Sequence, residues 1–115
     1  MLLNLATRTC EPGILVVELS GRISLGRESA HMEDVVLKAI ADGTRKIVLD
    51  ITGVHHIDSS GIGIMAMCFG KLTNLGGKLC VAGAHGVVQT IFHMTHLDSV
   101  IPFAATVDEA VAGMQ

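Results

Sequence analysis

The chain has 115 residues, 50% of them hydrophobic, which is the size and composition of one globular domain with a single sizeable core. Its formal charge is −3 and its eight Lys and Arg residues form no basic cluster, which excludes the electrostatic footprint of a nucleic-acid binder. No stretch approaches the roughly 20 apolar residues of a membrane span, and Met1-Leu2-Leu3-Asn4-Leu5 is too short for a signal peptide, so a cytoplasmic protein without membrane insertion is expected.

In chain order, Leu3 to Cys10 reads as a strand, Glu11-Pro12-Gly13 as a turn, and Ile14 to Gly21 as a second strand, together an antiparallel hairpin. From Gly26 to Ala41 the spacing becomes helical, with Met32, Val36 and Ile40 on one face and Asp42-Gly43 as the stop. Lys46 to Ile51 is nearly all apolar, the composition of a strand covered on both faces, and is placed at the centre of the sheet. Gly53 to Ile57 is expected as a loop, and a second helix runs from the Asp58 region to Leu75. Lys78 to Gly83 is the next strand and Val87 to Thr95 a third helix. Val100 to Phe103 carries a proline, so a strand there lies at an edge. Thr106 with Glu109 forms a capping-box signature before a last helix. Strands alternating with helices imply one α/β domain over residues 1–115.

Asp58-Ser59-Ser60-Gly61 is the stretch with chemistry. A carboxylate and two hydroxyls before a helix are the residue types that accept hydrogen bonds from its free first-turn N–H groups. Those groups and the positive end of the helix dipole would equally welcome a phosphate on a serine there. The site therefore reads as a cap, a phosphorylation switch, or both. On a helical projection Ile62, Met65, Ala66, Phe69, Leu72 and Gly76 form the core stripe, while Ser60, Ile64, Met67, Lys71 and Asn74 face outward. Outward Ile64 and Met67 are either scattered surface residues or a partner-binding patch.

Other chemistries fit less well. Gly61-x-Gly63 lacks a third glycine in register, and no P-loop is present, so no nucleotide or other cofactor is expected. The Gly-x-Ser-x-Gly elbow of serine hydrolases is absent around Ser59 and Ser60. His93 and His96, and His55 with His56 in the expected loop, are only pairs, short of the three or four convergent ligands a metal needs. His31 and His85 carry no signal. Cys10, Cys68 and Cys80, each within an apolar run, suit buried reduced thiols. Arg22, Arg27, Glu28, Glu33 and Asp34 cluster around the start of helix one, as a solvated face or a contact surface.

The order of elements, Asp58-Ser59-Ser60-Gly61-Ile62-Gly63 opening helix two, Gly76-Gly77-Lys78-Leu79 entering a strand, and the tail Leu97 to Pro102 followed by Thr106 to Ala110 resemble the STAS domain. More narrowly, the chain resembles bacterial anti-sigma factor antagonists over essentially its whole length. That resemblance implies a mixed sheet of about four or five strands with about four helices mainly on one face. It also implies a non-catalytic regulator whose Ser59 is phosphorylated by an anti-sigma factor serine kinase of histidine-kinase-like ATPase fold and dephosphorylated by a serine phosphatase. The unphosphorylated form would sequester the kinase and so free a sigma factor. Asp58 matches the acidic neighbour, Ser60 and Gly61 shape the helix start, and Arg22, Ser24, Ile64, Met67 and Lys71 are expected to meet the partner. Gly21-Arg22-Ile23-Ser24 departs from the family pattern, with serine where an acidic residue is frequent. The same module in another partner-switching, stress-sensing or transport-associated assembly is the alternative, and a small serine hydrolase or nucleotide-binding enzyme a more distant one.

Overall fold

The computed structural model describes residues 3–10, 13–23 and 27–114, with the side chains of 27–29 left aside. Five strands and four helices follow one another as β1 (Asn4–Cys10), β2 (Ile14–Ile23), α1 (Arg27–Ala41), β3 (Lys46–Ile57), α2 (Ser59–Asn74), β4 (Lys78–Ala82), α3 (Gly86–Met94), β5 (Phe103–Ala104) and α4 (Val107–Met114). A 3₁₀ turn over Leu97–Ser99 links α3 to β5. The sheet order is β1-β2-β3-β4-β5, with β1 antiparallel to β2 and the other pairs parallel. The apolar run of β3 is therefore central, as its composition requires, because strands and helices on every side remove it from water.

Alternating side chains divide the core between two faces. Val17, Leu19 and Ile23 of β2, Ile47, Leu49, Ile51, Val54 and Ile57 of β3, and Leu79 and Val81 of β4 pack in one cluster with Met32, Val36 and Ile40 of α1, Met65, Cys68 and Leu72 of α2, and Val88 and Phe92 of α3. Ile14, Val16, Val48, Cys80 and Ala82 point the other way and are covered by Ala110 and Met114 of α4. Three helices thus lie on one face and α4 alone on the other. The start of α4 is held as its sequence predicts, Thr106 Oγ1 accepting the Glu109 N–H at 3.1 Å. The Glu109 carboxylate reaches one residue further back than an ideal box and accepts the Ala105 N–H at 3.2 Å.

β3 does not end at Ile51. The segment from Gly53 to Ile57, expected as a loop, continues the strand beside the last residues of β2, pairing Ser20 with Gly53, Gly21 with Val54, Arg22 with His56 and Ile23 with Ile57. Two register shifts give β3 extra residues there, and these bulges break the strict alternation that marks a strand in sequence. Asp50 supports the first, its Oδ1 accepting the Thr52 N–H at 3.1 Å and the Thr52 hydroxyl at 2.7 Å. A Cβ on Gly53 would stand 2.7 Å from the Cβ of Ser20, so the close crossing needs glycine. His55 and His56 are consequently strand residues, the first exposed and the second half-buried.

Candidate functional site

The extension of β3 is what delivers the motif. Ile57 is buried, the chain turns at Asp58 with φ −109° and ψ −177°, and α2 begins at Ser59. Asp58 is its N-cap: Oδ1 accepts the Gly61 N–H at 3.0 Å, and the main-chain carbonyl accepts the Ile62 N–H at 3.1 Å. Its own N–H donates to the Ile23 carbonyl at 3.0 Å, which ties the helix start to the end of β2. Gly61 is buried in that junction. A Cβ added to it would meet Ile23 Cγ2 at 2.5 Å and both the Ile23 carbonyl and Ile57 Cγ1 at 3.0 Å. The motif glycine thus lets the first turn of α2 rest directly on the ends of two strands.

Ser59 is exposed and Ser60 half-buried. Being first and second in the helix, their N–H groups have no intrahelical acceptor, and none is found for them among the described residues. The cap carboxylate is already turned to Gly61, so two main-chain donors and the dipole remain beside the Ser59 hydroxyl. This is an environment that accepts added negative charge.

Burial turns α2 away from the expected projection. The buried line is Gly61, Met65, Cys68 and Leu72, whereas Ile62, Ala66 and Phe69 are half-buried at its flank. Gly76 lies beyond the helix, exposed, with φ +79°. The physical reason is Gly61: lacking a side chain, it marks the side on which the helix can sink deepest. Ile64, expected outward, is half-buried and packs against the main core. Met67, at 42% exposure, and Lys71 do face outward and share a stripe with Ser59, Gly63 and Asn74. Arg22 is exposed near the end of β2, but its neighbour Ile23 points into the main core, so Arg22 leaves the sheet on the opposite side from α2. The structure therefore sets Ser59, Met67 and Lys71 along one face of α2 and Arg22 on the other side of the sheet. Ser24 lies outside the described residues.

In the sequence Gly63 stands out only as part of the motif and of a failed dinucleotide fingerprint, and Gly70 passes unnoticed. Neither is needed by the fold, since a Cβ at either position would meet nothing within 4 Å. A glycine inside a helix costs about 1 kcal/mol relative to alanine, so two of them, one on the exposed stripe and one half-buried, are unexplained by packing. Their signal in sequence is the helix-interior glycine itself, which only the structure distinguishes from the tightly packed Gly61.

The thiols and histidines stand apart. Cys68 and Cys80 are buried, but Cys10, expected to be so, is half-buried because its strand is the sheet edge. Burial pushes the Cys68 thiol up to about 11, helped by the Glu33 carboxylate and opposed by Lys71, and burial also raises Cys80. His93 donates from Nδ1 to Asp98 Oδ2 at 3.1 Å on the surface. His85 has a structural contact that its sequence did not suggest, its Nε2 donating to the Thr52 carbonyl at 2.8 Å and so bracing the β3 bulge against the start of α3. Among the described residues no three His, Cys, Asp or Glu side chains converge as metal ligands, and no helix is long and apolar enough to cross a membrane.

A family model of the STAS domain matches residues 6–110. The anti-sigma-F factor antagonist RsfB of Mycobacterium tuberculosis is 25% identical over 103 residues, spanning 90% of this chain and 83% of that protein. The crystal structure of an anti-sigma factor antagonist from Mycobacterium paratuberculosis superposes with a TM-score of 0.84 at 25% identity, covering 97% of this chain and 93% of that one. The Bacillus cell fate determinant SpoIIAA in its phosphorylated form shares the fold, with a TM-score of 0.78 at 18% identity over 97% of this chain and all (100%) of that one.

Proposed function

The chain belongs to the STAS domain family, and from that membership we propose that it is an anti-sigma factor antagonist switched by phosphorylation of Ser59. Relatives named for that role, at about one residue in four identical, support the reading. The observation that carries it is the placement of Ser59: exposed, at the positive end of α2, and on one stripe with exposed Met67 across the bare backbone of Gly63.

In the unphosphorylated form the stripe of Ser59, Gly63, Met67 and Lys71 docks an anti-sigma factor that is also a serine kinase of histidine-kinase-like ATPase fold. Glycines at 63 and 70 allow a partner's main chain to approach the helix closely, and Met67 supplies an adaptable apolar contact. The kinase transfers the γ-phosphoryl group of ATP to Ser59 Oγ, the hydroxyl proton passing to a base of the kinase and ADP leaving. The phosphate adds about two negative charges. The free Ser59 and Ser60 N–H groups accommodate it within this chain, so the fold survives while the docked stripe, with Met67 its apolar contact, acquires a hydrated dianion at its head. The partner is released and recaptures its sigma factor until a serine phosphatase hydrolyses the ester.

The test pairs Ser59→Ala with Ser59→Asp as baits in lysate of the native host. Ser59→Ala is expected to retain a small kinase-fold ATPase that Ser59→Asp releases, with circular dichroism showing both variants folded. The purified ATPase with ATP should then phosphorylate the wild type at Ser59, as read by mass spectrometry of the peptide, and leave Ser59→Ala unmodified. Equal retention of the same proteins by both baits, or phosphate on another residue, would withdraw the switch and leave Ser59 as an ordinary helix-start residue.

A further inference from the structure

The two edges of the sheet are finished differently. β5 is two residues long and follows Pro102, so it offers almost nothing to a further strand. β1 offers seven residues, and among the described residues its outer edge meets no other strand of the sheet. Its pairing with β2 runs without a register shift from Asn4 opposite Ser20 to Cys10 opposite Ile14, so no bulge twists the edge away. Apart from Leu5 and Cys10 all its side chains are exposed.

Open edges are ordinarily guarded by proline, lysine, bulges or brevity. β1 has none of these. Its single charge, Arg8, is drawn back over the sheet: Nε lies 3.5 Å from Glu18 Oε2 on β2, and the guanidinium donates to Cys10 Sγ at 3.2 Å. The edge is straight, long and nearly neutral, which is the form that accepts an added strand through main-chain hydrogen bonds.

We propose that β1 pairs antiparallel with β1 of a second copy of this chain, about a twofold axis through Thr7, joining the two sheets into one. The strand is self-complementary in its full-length register: Thr7 faces Thr7, Ala6 faces Arg8, Leu5 faces Thr9 and Asn4 faces Cys10 of the other copy. Moving the axis to Arg8 would set two guanidinium groups directly opposite each other, which is unfavourable, and would leave residues unpaired. The full register is thus favoured both by ladder length and by charge. A twofold contact of this kind is closed, so association stops at the dimer. Its area falls below that of a standard stable interface, and the dimer is therefore weak and concentration-dependent. The inference rests on the sheet alone and uses no residue of the Ser59 stripe, so it stands or falls apart from the phosphorylation reading.

Sedimentation velocity on the full chain from about 10 µM to about 1 mM should show a monomer passing into a dimer across that range. Thr7→Pro, which sets a proline at the axis of the proposed pairing, should weaken association by about tenfold or more. In a Cys10→Ser background, mild oxidation should trap Thr7→Cys as a covalent dimer, because only at the axis does a residue face itself. Thr9→Cys, opposite Leu5, should remain largely monomeric, and Cys68 and Cys80 are buried and silent. If circular dichroism shows Thr7→Pro unfolded, Ala6→Lys takes its place, adding a cation opposite Arg8 of the second copy. A chain monomeric throughout overturns the proposal. So does a dimer indifferent to these substitutions, or one trapped equally fast through Thr9→Cys.

Discussion

Two alanine substitutions two residues apart on the same helix should move stability in opposite directions. At Gly61 the new Cβ would lie 2.5 Å from Ile23 Cγ2 and 3.0 Å from the Ile23 carbonyl and Ile57 Cγ1. Ile23 and Ile57 are almost wholly buried, and the Ile23 carbonyl is held by the Asp58 N–H at 3.0 Å, so none of the three can yield freely. Overpacking of this kind costs about 1–3 kcal/mol, against a helix-propensity gain of about 1 kcal/mol for alanine over glycine. The net expectation for Gly61→Ala is a loss of up to about 2 kcal/mol. At Gly63 nothing lies within 4 Å, so Gly63→Ala keeps the propensity gain and stabilises the isolated chain by up to about 1 kcal/mol. The propensity gain is common to both variants, so they differ by the overpacking cost of about 1–3 kcal/mol. That cost separates the urea midpoints by about 1 M at a slope typical of a small domain, with the slope itself unchanged. A Gly61→Ala midpoint at or above that of Gly63→Ala would refute the packing of the helix start on the strand ends. If the Ser59 stripe is the docking face, Gly63→Ala should in addition bind its partner more weakly despite being the more stable protein.

Further outcomes follow from the same geometry. Asp58→Ala removes the acceptor of the Gly61 N–H and should cost about 1 kcal/mol in chemical denaturation, with Asp58→Asn recovering most of it. Thr106→Ala should cost about as much through the lost bond to the Glu109 N–H, and loss of helical signal limited to α4 would distinguish it from a global effect. The Cys68 thiol is raised from 9.0 to about 11 chiefly by burial, so the folded state binds its proton more tightly than the unfolded state. Its contribution to stability is then complete below about pH 9 and lost as pH rises from about 9 towards 11. Denaturation midpoints should fall across that window and fall less in Cys68→Ala, whose midpoint below pH 9 is lower for the cavity it leaves. At pH 8 a disulfide reagent should label Cys10 rapidly and leave Cys68 and Cys80 unmodified until denaturant is added.

Much of the fold was legible because local rules and tertiary outcome agree. The order of strands and helices, the central place of Lys46 to Ile51, the Asp58 cap and the Thr106 cap each follow from residue types at fixed offsets, and packing had no reason to override them. Where bulges interrupt the period, as between Gly53 and Ile57, the pattern failed, because an extra residue shifts every following side chain to the other face.

Which residues begin α2, and that a hydroxyl stands at its positive end, follow from the residue types alone, since capping is decided within four consecutive residues. Which way the helix faces is set by packing against the strands. Burial of Gly61 against Ile23 and Ile57 turned Ile64 inward and left Gly63, Met67 and Lys71 outside with Ser59. The alternation of β2 sent Arg22 to the other side of the sheet. A helical projection knows the angles between side chains but not the direction of the core, and that direction is set by what the neighbouring strands leave room for.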